Sequence, residues 1–567
     1  MKLYIPCCLI SILLVCIGRT LQAQNLEKIK KQKPFEVHGS LSLSLQFYDV
    51  NGISSRRPPF TWYLTGAPVV KIWGMSLPIS LTLSEQQRSF SQPFNQWGAS
   101  PYFKKIKVHL GYRNVRFSDF SLGGATFLGV GVESTGMIRL GFVYGQFVKP
   151  IEEDSSGLDP RYRYLRPSYR RIGMAGKIGV GKPNAFLDLS IFKAYDVIGS
   201  IHTPSKRSQV TPMENLAVGI KNHLAFFKQK LVVDLEGGAS ILTRNTLLYD
   251  YEGSEPVLRF LVNLLPVNGS TSLFTAARGN ASYRFKGGSM AVQYQRIDPD
   301  YQSLGAYYFQ NDVEQFTFSP SFAFFKNKLM INGSYGRSHD NLNRKKLATT
   351  YRNVGAINIS AALVPRLNIN LMYTNFGVGQ SRGLVDLFND SLAISVVNAS
   401  YGGNISYQLG SRIHRQTFGI MAMYQNTNDQ NQFTRQYTGA ASFISSANYT
   451  YSYVPAKLTS SLSVSYVSVE TYGRRSTNIG PALSTSKEWW KGKLRTSFTH
   501  NSQLRRTNQL SDGIMANTGM SASIHQKKQS LTLAINYLYN RYNTSADGIN
   551  YRNFNEYRGT ITYGMRF

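Results

Sequence analysis

The chain ends in Tyr557-Arg558-Gly559-Thr560-Ile561-Thr562-Tyr563-Gly564-Met565-Arg566-Phe567, and this stretch decides the fold. Successive side chains of an extended strand point to opposite faces. Tyr557, Ile561, Tyr563, Met565 and Phe567 therefore share one side, and Arg558, Thr560, Thr562 and Arg566 the other. The preceding segment repeats the pattern, with Leu531, Leu533, Ile535, Tyr537 and Tyr539 against Thr532, Ala534, Asn536, Leu538 and Asn540. Near the other end, Leu41, Leu43, Leu45 and Phe47 alternate with Ser42, Ser44, Gln46 and Tyr48. In a membrane barrel the apolar set meets lipid and the polar set a wet lumen. A soluble sandwich alternates as well, so the connections between strands must separate the two.

Those connections are of two kinds. Phe226-Phe227-Lys228-Gln229-Lys230-Leu231, Phe324-Phe325-Lys326-Asn327-Lys328-Leu329 and Trp489-Trp490-Lys491-Gly492-Lys493-Leu494 share two aromatics, a Lys, a turn residue, a Lys and a Leu. Val364-Pro365-Arg366-Leu367 and Val454-Pro455-Ala456-Lys457-Leu458 are variants. Aromatic rings suit a membrane interface, and a Lys just beyond can meet lipid phosphate. Between these turns lie longer polar stretches at 150–168, 197–212, 244–272, 300–311, 378–390, 426–434 and 544–554. Tight turns on one side and long loops on the other fit a barrel, with the short turns periplasmic.

Composition agrees. The 567 residues include 35 Tyr, 32 Phe and 48 Gly but only 17% charged residues, a mixture suited to many strands and turns. All three cysteines, Cys7, Cys8 and Cys16, lie in an N-terminal stretch with Lys2, an apolar run from Leu9 to Ile17, and Leu21-Gln22-Ala23. This predicts a secretory signal peptide over 1–23. Lipidation at Cys16 is disfavoured by the bulky Leu13-Leu14-Val15 before it. The mature chain then has no thiol for disulfides or metal. No later apolar run is long enough for a membrane helix. The expectation is a short periplasmic segment at 24–33 and a single all-β, antiparallel up-and-down barrel over 34–567.

From about Pro34 onward the chain resembles the large bacterial outer-membrane β-barrel proteins. The resemblance is carried by the closing strand, with its terminal aromatic Phe567 and apolar residues at every second position back to Ile561. It implies a cell outer membrane location in a Gram-negative envelope. It also makes Ile561, Tyr563, Met565 and Phe567 the assembly signal read by the barrel-assembly machinery. About 25 candidate strands are countable, whereas both ends on one side require an even number. The parity fails between Glu85 and Thr126, so 24–26 strands are expected, with a strand split there or part of the segment running through the lumen.

Function is less sharply drawn. Only about ten residues separate the leader from the first strand, which leaves no plug domain before the barrel. Inward loops at 87–123, 150–171 or 244–272 would then narrow the pore. The chain carries 63 Lys+Arg against 31 Asp+Glu, a net charge of +32. Arg161, Arg163, Arg166, Arg170 and Arg171 form one basic cluster, interleaved with Tyr162, Tyr164 and Tyr169, and Lys104, Lys105, Lys107, Arg113 and Arg116 form a second. They either line a positive constriction favouring anions or make a rim that binds lipid phosphate. The porin-like reading is a channel for hydrophilic, in its sharper form anionic, solutes. The alternative is a structural or assembly/secretion component acting with periplasmic or surface partners. The expected partners are outer-membrane lipid, the assembly machinery and such a protein, not nucleic acid. No enzyme activity and no cofactor are expected, since the eight histidines lack metal-ligand spacing. His339-Asp340 reads as a solvated loop, and Asp298-Pro299-Asp300-Tyr301 as a rigid loop and interface ring, with calcium on Asp298, Asp300 and Asp312 a remote option.

Overall fold

The computed structural model describes residues 34–73, 75–85, 95–153, 167–202, 204, 208–249, 262–306, 310–382, 393–543 and 553–567. The leader, the segment 24–33 and Arg161, Arg163 and Arg166 lie outside them.

One antiparallel sheet holds every strand and closes on itself. Ser40–Asn51 pairs with Phe554–Arg566, from Ser40 opposite Arg566 to Asn51 opposite Asn555. Phe567 completes the seam, its backbone N–H donating to the Gly39 carbonyl at 3.1 Å. The sheet contains 29 hydrogen-bonded segments, three pairs of which are single interrupted strands, giving 26. Phe35–His38 breaks from Ser40–Asn51 at Gly39, where φ is +130°. Phe60–Gly66 breaks from Val69–Ile72 at Ala67-Pro68, and Gln96–Ala99 from Tyr102–Phe103 at Ser100-Pro101. Proline has no N–H to give a ladder, so a strand stutters there.

The parity failure has its explanation in this region. Between Met75–Ser84 and Ile106–Arg116 sits the broken strand Gln96–Phe103, and the connection 117–122 then turns into the lumen before Gly123–Ser134. Elsewhere strands run longer than their sequence suggests. The ladder of Leu367–Arg382 and Ser395–Gly410 extends to Gly379 opposite Ser395, inside the expected loop 378–390. His414–Asp429 likewise enters the expected loop 426–434.

Register carries the apolar set across the seam. Leu531 pairs with Tyr563, which pairs with Leu43, which pairs with Leu64. Antiparallel partners share a face, so these pairings make a continuous outward belt. Ile535 is 63% exposed on it. With neighbouring strands about 4.8 Å apart and tilted by about 40°, a circular barrel of this strand number is roughly 50 Å across, too wide for side chains to fill.

The three repeated turns adopt one conformation. Phe227 and Lys228, Phe325 and Lys326, and Trp490 and Lys491 all have φ between 51° and 58°. In each, the second Lys donates its backbone N–H to the carbonyl of the second aromatic, at 3.3, 3.3 and 3.2 Å. Left-handed φ is unusual for aromatic residues and marks a tightly specified turn. It leaves Phe227, Phe325 and Trp490 exposed on the short-turn rim with lysines beside them. Much of the net positive charge is displayed on this rim.

Candidate functional site: a lumenal plug built from two connections

The polar face of the wall is lined unevenly. Along Ala185–Val197, Leu187, Leu189 and Ile191 face out, while Asp188, Ser190, Phe192 and Ala194 are buried on the inner side. What buries them is a pair of inward-folded connections, 117–122 and the stretch after Ile297.

The first connection is held by polar contacts. The Ser118 hydroxyl and the Asp119 N–H both donate to Glu236 Oε1, at 2.8 and 2.6 Å. Arg278 Nη1 donates to Asp119 Oδ2 at 2.8 Å, with Arg116 on the other oxygen. Burial pushes the Asp119 carboxyl up, but hydrogen bonds and charge from Arg116 and Arg278 outweigh it and hold the group below the usual carboxylate range. Phe120 is fully buried and meets the Tyr301 ring edge-on at 5.9 Å.

The second connection locks onto the first. The Tyr301 hydroxyl donates to the Phe120 carbonyl at 2.5 Å, and the Ser303 hydroxyl to the Ser121 carbonyl at 2.5 Å. Leu304 N–H donates to Asn215 Oδ1 on the wall at 3.0 Å, and Ser240 donates to the Gln302 carbonyl at 2.6 Å. Burial raises the Tyr301 hydroxyl well above its ordinary pKa, so it remains a donor.

The fit depends on two wall glycines that face each other in register, Gly219 and Gly238. A Cβ on Gly238 would lie 2.4 Å from the Phe120 Cβ, and one on Gly219 would lie 2.8 Å from the Ser118 Cβ. Glycine inside a strand here marks the close approach of another segment. The two ends of the first connection, Phe117 and Leu122, join Val115, Phe127, Phe147 and Phe192 of the wall in an apolar cluster. Ion pairs flank it: Arg139 with Asp188 at 2.7 and 2.9 Å, and Arg171 with Asp196 at 2.8 and 3.0 Å. Glu133 accepts from His109 Nε2 at 2.9 Å and lies 3.6 Å from Lys177, while Ser100 Oγ is 3.2 Å from His109 Nδ1.

Among the described residues, the basic side chains singled out in the sequence are spread over both faces of the wall and its turns. Lys104 and Lys105 occupy the turn between Tyr102–Phe103 and Ile106–Arg116, with the Lys104 ammonium 5.2 Å from the Phe103 ring centre. Arg170 shares the outward face of Met174 and Ile178, whereas its neighbour Arg171 faces in and is paired. Arg113 faces the lumen and donates to Ser80 at 2.7 Å, and Arg116 is engaged by Asp119. Tyr301 belongs to the plug and not to an interface ring, because its hydroxyl finds a carbonyl partner inside. Asp298 accepts from Thr275 at 2.7 and 2.6 Å, and Asp312 is paired with Lys346, so the calcium trio does not assemble. His339 lies 3.7 Å from Glu314 and stacks on Tyr351.

Of the three candidate inward loops, 150–171 lies largely outside the described residues, and the described part of 244–272 goes the other way. It packs Leu265 and Val267 on the outward Leu216 and Ile241, and Lys193 reaches the Leu264 carbonyl at 2.6 Å. Those apolar side chains are better accommodated by the belt than by a wet lumen.

A closed sheet of strands, an apolar outward belt and an aromatic rim define the chain as a transmembrane β-barrel of the outer-membrane class. No protein-family model and no curated protein matches it. Among solved structures it is similar to the translocation pore of the P pilus usher PapC, at 8% identity and TM-score 0.34, covering 94% of this chain and 99% of that one. It is also similar to OpdK of Pseudomonas aeruginosa with vanillate, at 10% identity and TM-score 0.30, covering 63% and 93%. A third is a mutant of the ferric enterobactin receptor PfeA of Pseudomonas aeruginosa, at 8% and 0.40, covering 94% and 80%. None of these likenesses names a family, and the class stands on the sheet itself.

Proposed function

We propose that the protein is an outer-membrane channel for hydrophilic solutes, exported by the leader at 1–23 and narrowed on one side by its own connections. The observation that carries this reading is the asymmetric lumen. The plug covers the wall around Ala185–Val197 and Leu231–Thr243, while the wall from Ala440 to Tyr542 has no buried apolar side chain among the described residues. In this reading the protein transports and does not catalyse. The lysine and aromatic rim supports seating in the lipid headgroups at the periplasmic side, and it would equally suit the alternative role of a structural or secretion component with a periplasmic partner. Planar-bilayer recording from the purified full-length barrel tests the proposal: stepwise conductance is expected, and an electrically silent barrel would favour the structural role.

A further inference from the structure

The sign of the charge fixed along the lumen names a solute class, an inference that rests on the channel reading above. The wall from Ala348–Ala361 round to Phe554–Arg566 takes no part in the plug contacts and forms the open sector. Leu371, Leu504 and Leu531 are exposed on its outward face, and alternation carried through the ladders fixes which arginines face in. Arg352, Arg505 and Arg558 do so in the half nearer the long loops, with Arg558 opposite Asn536. Arg415, Arg495 and Arg566 do so at the short-turn ends.

The inward carboxylates of the sector are fewer, and each is occupied. Glu488 lies opposite Arg495 in the ladder and accepts from the Lys457 ammonium at 2.7 Å. Glu556 is buried and paired with Arg558. Asp429 accepts from the Thr438 hydroxyl at 2.5 Å and the Asn431 N–H at 2.9 Å, and Asp512, beside the bulge at Arg505, accepts from the Thr507 hydroxyl. Arg505 itself is held by neutral groups, donating to Asn540 and lying 4.5 Å from the Tyr542 ring centre. Among the described residues, positive charge on this inner face therefore exceeds negative. The plugged side does not reverse the sign. Asp188, Asp196 and Glu133 are matched there by Arg139, Arg171 and Lys177. Arg113 adds a further lumenal cation, bonded to the Ser80 hydroxyl, with its Nε and Nη2 free of any hydrogen-bond partner.

A solute moving along the open sector thus meets cations at both ends and hydroxyls and amides between them, among them Ser463, Thr499 and Asn536. Hydroxyl and amide groups can donate to an anion's oxygens. Fixed cations in a water-filled lumen raise the local anion concentration and repel cations, over about 8 Å at physiological salt.

We infer that the open sector selects hydrophilic anions of the carboxylate or phosphate class over cations. The test uses the purified full-length barrel in planar bilayers under a potassium chloride gradient. With the dilute side at about 0.1 M, where screening acts over about 10 Å, chloride should be at least about threefold more permeant than potassium. With the dilute side at about 1 M, where the range falls to about 3 Å, the ratio should approach unity. Inorganic phosphate in place of chloride should also be more permeant than potassium. Arg352→Gln combined with Arg415→Gln should lower the low-salt ratio. Arg337→Gln should leave it unchanged, since Arg337 lies on the outward face, 5.8 Å from the Tyr351 ring centre. A cation-selective barrel, a ratio near unity at low salt, or an equal loss in Arg337→Gln would overturn the inference while leaving the channel intact. A silent barrel would overturn both.

Discussion

The two sides of the lumen are made from the same kind of strand and finished in opposite ways. From Val115 to Val313 the inner face carries fully buried Phe, Leu, Val and Ala, ion pairs and two inward connections. Between 314 and 553 no apolar side chain is fully buried among the described residues, and the inner face is largely hydroxyls and amides. The difference shows that closing a sheet and filling it are separate problems. Closure is solved by local alternation and register, which are uniform around the barrel. Filling is solved only where a connection can turn inward and find a flush wall, as 117–122 does over Gly219 and Gly238.

The comparison breaks most visibly at the glycine floor. Gly238→Val puts a branched side chain where the Phe120 Cβ now sits, 2.4 Å from an added Cβ. Overpacking of this kind costs about 1–3 kcal/mol. The strain is relieved by displacing the plug, because the wall strand is held by ladders on both edges. The plugged side then behaves like the open one. Single-channel conductance should rise well above wild type, with heat-modifiable gel migration preserved.

A smaller effect is expected at the Asp119 latch. Arg278→Ala leaves Asp119 and Glu236 without their shared cation, and about 1–3 kcal/mol of plug stability should be lost for a pair that is partly solvated. The pH dependence has a definite sign. Asp119 is held below its ordinary range, so its contribution is present above the unfolded value, about 4, and is lost as pH falls through the lower folded value. Opening events in the wild type should therefore increase only in strongly acidic buffer, and in Arg278→Ala the acid step should move up toward the ordinary carboxylate value. An acid step unchanged by the substitution would remove Arg278 from the latch.

Much of the barrel was legible because its determinants are local. Leu41 to Phe47 and Tyr557 to Phe567 alternate, and they are the strands that pair at the seam. The three turns that share a residue pattern also share φ values and a hydrogen bond. The plug was legible only in part: the parity failure marked 87–123 as a segment that could run through the lumen, and 117–122 does, whereas its partner after Ile297 was hidden because the contacts join residues far apart. Tyr301 and Phe120 are separated by 181 positions, and nothing near either one names the other. A second signal was present: Gly237-Gly238 in the middle of a strand pattern marks a place where another backbone comes close. The described members of the basic clusters divide for a geometric reason. Adjacent strand residues point to opposite faces, so Arg170 and Arg171 are neighbours in the chain and lie on opposite sides of the wall.

The plug and the open wall can be compared directly with single cysteines, since the chain's own three lie within the predicted leader. Ser121 is fully buried where the two connections meet, and Ser463 lines the open sector. Labelling of folded full-length Ser121→Cys and Ser463→Cys with a water-soluble maleimide measures which surface the lumen water reaches. The account predicts ready labelling at 463 and protection at 121 until the barrel is unfolded. Equal labelling of the two in the folded protein would contradict an inward, wall-bound plug.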